Sequence, residues 1–166
     1  FITVFPDIEK VVLSWFTYDT TTPPESAIAN LGSPDHRWFN ALGEFKGNQA
    51  VMSIKVASGG VFDTQTKVAR ISDGTITLTF EDCNSGTVEY EIPSIGQKGV
   101  VPIQRIVGDN IALCEGMAEQ AVTQQAQGKL EMSSTITSMS DNPVALADEL
   151  PLMEMNPGLN DAWYYP

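Results

Sequence analysis

The sequence predicts an all-β protein: an antiparallel β-sandwich or small barrel with one disulfide and an extended C-terminal arm. Three observations predict it. Between Asp73 and Ile92, Thr75, Thr77 and Thr79 alternate with Ile76, Leu78 and Phe80. After the turn EDCNSG, Thr87, Glu89 and Glu91 alternate with Val88, Tyr90 and Ile92. Period-two alternation on both sides of a polar turn is the mark of a hairpin with one buried and one wet face. Turn signals then recur at roughly the 8–12-residue spacing of sandwiches and barrels through residues 1–114, with no crossover helix that would build a parallel sheet. Finally, Cys83 in the hairpin turn and Cys114 at the end of the β-rich part are the only cysteines. They read as a structural disulfide, the other reading being two buried thiols. Closing a loop of about 30 residues contributes roughly 3–4 kcal/mol in the chain-entropy account.

In chain order, Phe1–Phe5 (FITVF) is a strand, and Pro6-Asp7 turns it into Lys10–Tyr18 (KVVLSWFTY), rich in β-branched and aromatic residues. Asp19–Pro24 is a breaker loop, and Glu25–Asn30 is one helical turn or a loop. Asp35–Phe45 is a strand, Gln49–Ala57 another with clean alternation, and Val61–Ile71 a third, before the 73–92 hairpin. Val100–Val107 follows, and Ile111–Cys114 reads as a final short strand. These make a β domain over 1–115. Residues 116–155 read as an acidic linker, with a helix over Glu115–Gln127, a Ser/Thr-rich stretch over Ser133–Ser140 and a helical turn within Asp141–Met155. Residues 156–166 (NPGLNDAWYYP) form a C-terminal strand, too apolar to stand in water.

The chain carries a net charge of −12, with a pI near 4.2. Residues 115–166 hold eight acids and one base, so more than half of that charge sits on less than a third of the chain. A phosphate backbone or an anionic membrane is repelled by this balance, which excludes nucleic acid as a partner. No apolar run approaches the 18 residues of a membrane span. The first residue is Phe1, which reads as a processed form or an excised fragment. A disulfide places the chain in an oxidising compartment.

Catalytic and metal-binding patterns are sparse. His36 is the only histidine, with no second histidine or serine elbow to build a triad, and reads as a loop residue. Glu81, Asp82, Glu89 and Glu91 crowd one hairpin, but Glu89 and Glu91 share one face, the pattern of a solvated surface and not of two carboxylates across a cleft. Asp63, Asp73, Asp109 and Asp161 lie in turns without a DxDxDG loop and read as turn formers. Trp15, Trp38, Trp163, Tyr164 and Tyr165 are either a sugar-stacking platform or packing residues. No enzyme, cofactor or metal is expected.

WFTYDT at 15–20, GNQA at 47–50, FEDCNSGTVEYEIPS at 80–94, VPIQRI at 101–106, NIALCE at 110–115 and NPGLNDAWYYP at 156–166 resemble a β-rich module. That module recurs in secreted and cell-surface proteins of Gram-negative bacteria. The resemblance covers 1–115 and 156–166, implies an extracellular β fold and implies no biochemical activity. It also implies a different order, because in that module the NPGLNDAW segment precedes the FITVF segment. Three readings follow: a slice of a tandem array, a strand folding back on its own domain, or a strand given to the next copy. The last makes the chain a secreted structural subunit, a homopolymer built head-to-tail. Asn156, Leu159, Trp163, Tyr164 and Tyr165 are then the donor strand. Phe1, Ile2, Val4, Phe5, Val11, Leu13 and Trp15 are the acceptor edge. The alternative is a secreted binding module that holds a glycan or protein on exposed aromatics.

Overall fold

The computed structural model describes residues 1–18, 20, 36–61, 63–136 and 153–166. Eight strands form one antiparallel sheet whose spatial order follows the chain. They are β1 (Ile2–Phe5), β2 (Lys10–Tyr18), β3 (His36–Lys46), β4 (Gln49–Ser58), β5 (Ala69–Phe80), β6 (Ser85–Ile92), β7 (Gln97–Arg105) and β8 (Trp163–Tyr164). An up-and-down order of this kind leaves two outer strands with unsatisfied edges. Here the last strand turns back to the first. Ile2 and Asp161 exchange backbone hydrogen bonds of 3.0 and 3.2 Å, and β8 pairs with β7 at Gln104–Tyr164 and Arg105–Trp163. The sheet is thereby nearly closed into a barrel with one face inward.

Alternation decides which residues fill it. Val11 and Leu13 of β2, Ala50, Met52 and Ile54 of β4, and Ile76, Leu78 and Phe80 of β5 are buried. Their neighbours in sequence face water. Eight strands enclose an interior that side chains can fill. A bulge between Ser53 and Lys55 re-aims β4, and at Gly74 (φ +95°) the adjacent β5 needs a backbone angle that side chains rarely adopt. A Cβ there would also run into the Glu91 carbonyl oxygen.

Cys83 and Cys114 form the expected disulfide. Cys114 does not end a strand, however. Ile111–Ile136 is α1, the one α-helix among the described residues. Asn110 opens it, its carbonyl accepting from the Cys114 amide at 3.0 Å. The apolar run 111–114 continues as Ile111, Cys114, Ala118 and Ala121, which is helical spacing and places Cys114 against the barrel. A four-residue apolar run does not by itself separate strand from helix. The helix also runs past Gln127 and through Ser133–Ile136, where a linker is expected. The strand expected at Val61–Ile71 begins only at Ala69, the described residues before it being turn and exposed chain. The expectations for Glu25–Asn30, and for Asp141–Met155 up to residue 152, lie outside the described residues.

Candidate strand-docking site

The segment 153–165 is mostly not strand. Asn156-Pro157-Gly158-Leu159 forms a 3₁₀ turn, with proline at its first position and the Asn156 Oδ1 accepting from the Gly158 amide at 2.9 Å. The turn drives Leu159 into the barrel end, fully buried, with Met153 and Met155 beside it. Burying one such leucine contributes about 1.5–3 kcal/mol. Gly158 lies flat on the first turn of α1, where a Cβ would sit 2.5 Å from the Cys114 Cα and N. No larger residue fits without moving backbone. Asn156 also donates through Nδ2 to the Cys114 carbonyl at 3.3 Å, and Met155 N donates to the Gly47 carbonyl at 2.8 Å. After the turn, Asn160 Oδ1 accepts from the Val4 amide at 2.5 Å.

Arg105 is the centre of the site. Its side chain is fully shielded from solvent. Nε donates to the Cys83 carbonyl at 2.5 Å, Nη2 to the Gly158 carbonyl at 2.5 Å and Nη1 to Asp161 Oδ2 at 2.6 Å. The guanidinium also lies 4.8 Å from the Trp163 ring centre. Trp163 in turn packs on Phe80 at 5.0 Å and donates through Nε1 to the Leu159 carbonyl at 3.2 Å. Two of the three acceptors and the ring come from 153–165. Without that segment Arg105 keeps only one of its three side-chain hydrogen bonds and loses its charge partner. Arg105 and Asn156 are the buried polar or charged residues among those described, and both serve this contact.

Of the expected donor residues, Asn156, Leu159 and Trp163 are brought together here. Tyr164 is nearly half exposed and donates only a long 3.4 Å bond to Gln104 Oε1, while Tyr165 is exposed. On the expected acceptor edge, Ile2 and Val4 of β1 touch the segment through backbone, whereas Phe1 and Phe5 are exposed. Val11 and Leu13 offer no free edge, while Trp15 lies past the last β1 partner and pairs with Phe39 of β3. β2 is paired by β1 on one side and β3 on the other, and these side chains belong to the interior. The second wall of the site is β7, which sequence reasoning missed. Its signal was present: in VPIQRI, Val101, Ile103 and Arg105 share the inward face, so a lone arginine stands on an apolar stripe.

The other candidates are dispersed. Trp15 packs inside on Phe39 and Tyr90, and Trp38 lies outside on β3, so the tryptophans make no single platform. The outward aromatics instead cluster as Phe1, Phe16 and Trp38, with Phe1 and Phe16 in edge contact at 6.0 Å and Trp38 opposite Phe16 in register. Glu89 and Glu91 are exposed on one face of β6. Asp73 accepts from the Ser94 amide at 3.1 Å. Asp82 is a turn former. Partial burial works to raise its pKa, but bonds from the Asn84 amide and from the Ser85 hydroxyl and amide outweigh this and hold it below the usual value. His36 lies on β3. No three His, Cys, Asp or Glu side chains among the described residues gather as a metal site. No helix among them is long and apolar enough to cross a membrane. Comparison with protein-family models, with curated proteins and with solved structures finds no match to this chain.

Proposed function

We propose that this chain is an extracellular structural subunit that assembles head-to-tail, residues 153–165 of one copy closing the barrel of the next. One observation carries the reading: the piece that joins the first and last strands of the body is supplied from beyond a 26-residue helix. A helix of that length carries the chain about 39 Å along its axis. The 16 residues of 137–152 then span up to roughly 55 Å when extended, enough to return to the same barrel or to reach a neighbour. Every contact of the docked segment is the same in either case, so exchange loses no contact energy, and concentration and the connector decide the balance. A barrel whose segment has left presents the edges of β1 and β7 and an Arg105 without its Asp161 and Gly158 acceptors, which favours capture of another copy's segment. A disulfide and the resemblance to modules of secreted and cell-surface proteins support the extracellular setting.

A second reading, a binding module for a surface glycan or protein, is favoured by the outward cluster of Phe1, Phe16 and Trp38, since exposed apolar patches mark interaction surfaces.

Light scattering across a concentration series separates the two. Exchange gives species at multiples of 18.0 kDa that grow with concentration. Excess synthetic peptide of sequence 153–166 then returns them to the monomer mass by competing for the site. A single 18.0 kDa species at every concentration contradicts exchange.

A further inference from the structure

The docked segment leads with two methionines, Met153 and Met155. Glu154 between them is exposed, so the extended chain turns both thioethers to the same side, into the core. Only 5% of Met153 and 3% of Met155 reach solvent. The Gly47 carbonyl accepts from the Met155 amide and fixes the chain at that point. The Met153 sulfur lies 3.8 Å from the Cys83 sulfur, and Cys114, at the other end of that disulfide, seats Gly158. A thioether suits such a place, being flexible, polarizable and apolar.

A sulfoxide does not suit it. Oxidation gives each sulfur a polar oxygen that accepts hydrogen bonds. At Met153 that oxygen competes for space with the Cys83 sulfur. The amide donor beside it in the chain, Asn156 Nδ2, is already given to the Cys114 and Glu154 carbonyls at 3.3 and 3.2 Å. A buried acceptor left without a donor weakens docking by about tenfold per sulfur. Other methionines stand apart from this contact. Met52 belongs to β4, which β3 and β5 flank, so it keeps its walls when 153–165 leaves. Met117 lies half-buried on α1.

We infer that Met153 and Met155 are an oxidation site that sets whether 153–165 can dock. An organic hydroperoxide reaches the two thioethers only in the undocked segment, and the sulfoxides then keep the segment out. The Sδ lone pair attacks the terminal peroxide oxygen. The O–O bond breaks, an S–O bond forms, and the proton of the attacked oxygen passes to the departing alkoxide, which leaves as an alcohol. Sulfur loses an electron pair and the peroxide gains it. Enzymatic reduction of the sulfoxides restores docking. Under the exchange reading, oxidation of a released segment ends assembly. The site itself rests on the docking of 153–165 and not on which copy supplies it, so a chain that stays monomeric contradicts exchange without touching this inference.

The full chain is treated with tert-butyl hydroperoxide in native buffer, and oxidation at each methionine is followed by peptide mass spectrometry. Met153 and Met155 are expected to react more than about tenfold slower than in a synthetic 153–166 peptide, with Met117 as the half-buried reference. A second sample is oxidised in urea and refolded. Its tryptophan emission is expected to be red-shifted, from Trp163 left in water, and methionine sulfoxide reductases are expected to reverse the shift. The double variant Met153→Leu, Met155→Leu fills the same space with side chains that do not oxidise, and after the same treatment it is expected to keep the docked emission. Met153 and Met155 reacting in the native chain at the rate of the free peptide, an oxidised chain with unshifted emission, or an oxidised double variant shifted as far as the wild type each overturns the assignment.

Discussion

Replacing Arg105 with alanine is expected to lower unfolding stability by about 3–5 kcal/mol, the range for removing one partner of a buried charge pair. The variant leaves the Cys83 and Gly158 carbonyls without their donor and Asp161 without its cation, and it removes the guanidinium from the Trp163 ring. Arg105→Lys is expected to recover only part of the loss, because an ammonium is a point charge and lacks the planar fork that serves three acceptors in different directions. Urea denaturation with tryptophan fluorescence reads both. The signature specific to docking is a red-shifted Trp163 emission in the alanine variant before the main transition, from the segment leaving first. A single transition at the wild-type midpoint contradicts the role assigned to Arg105.

Loss of the Cys83–Cys114 bond is expected to have a comparable effect. The 31-residue separation corresponds to about 3.7 kcal/mol of loop-closure entropy. The effect extends beyond entropy, because the bond also fixes two halves of the docking site. The Cys83 sulfur lies 3.8 Å from the Met153 sulfur, and the Cys114 backbone seats Gly158 and Asn156. Denaturation of the paired Cys83→Ala and Cys114→Ala variant is expected to show the lower midpoint together with earlier release of 153–165. An unchanged midpoint sinks this account of the bond.

The hairpin over 73–92 and the strands at Lys10–Tyr18 and Gln49–Ala57 were legible because their alternation is local and each has one wet face. Cys83 and Cys114 were legible as a pair because no other cysteine competes. The start of α1 was not, since Ile111–Cys114 is too short to show a period, and its stripe emerges only across Glu115 and Gly116. The 156–166 segment was read as strand from its aromatics, whereas Asn156-Pro157 caps a 3₁₀ turn and only Trp163–Tyr164 pair as strand. Its apolar character did announce that it docks. Where it docks depended on β7, reached through Arg105 and a closure between residues more than 50 apart, which no local pattern encodes. At Val11 and Leu13 of the assigned acceptor edge, β1 already supplies the neighbouring strand. A strand's rank in the sheet, edge or interior, is set by its partners and not by its own sequence.

We propose that the strand next to Arg105 comes from another copy. Gln104 and Tyr164 face each other in register between β7 and β8. A chain carrying both Gln104→Cys and Tyr164→Cys, oxidised gently at high protein concentration, reports the source of the strand on a non-reducing gel. Exchange predicts a ladder of covalent multimers that collapses on reduction. A quantitative cross-link confined to the 18.0 kDa monomer contradicts it and assigns the segment to its own barrel.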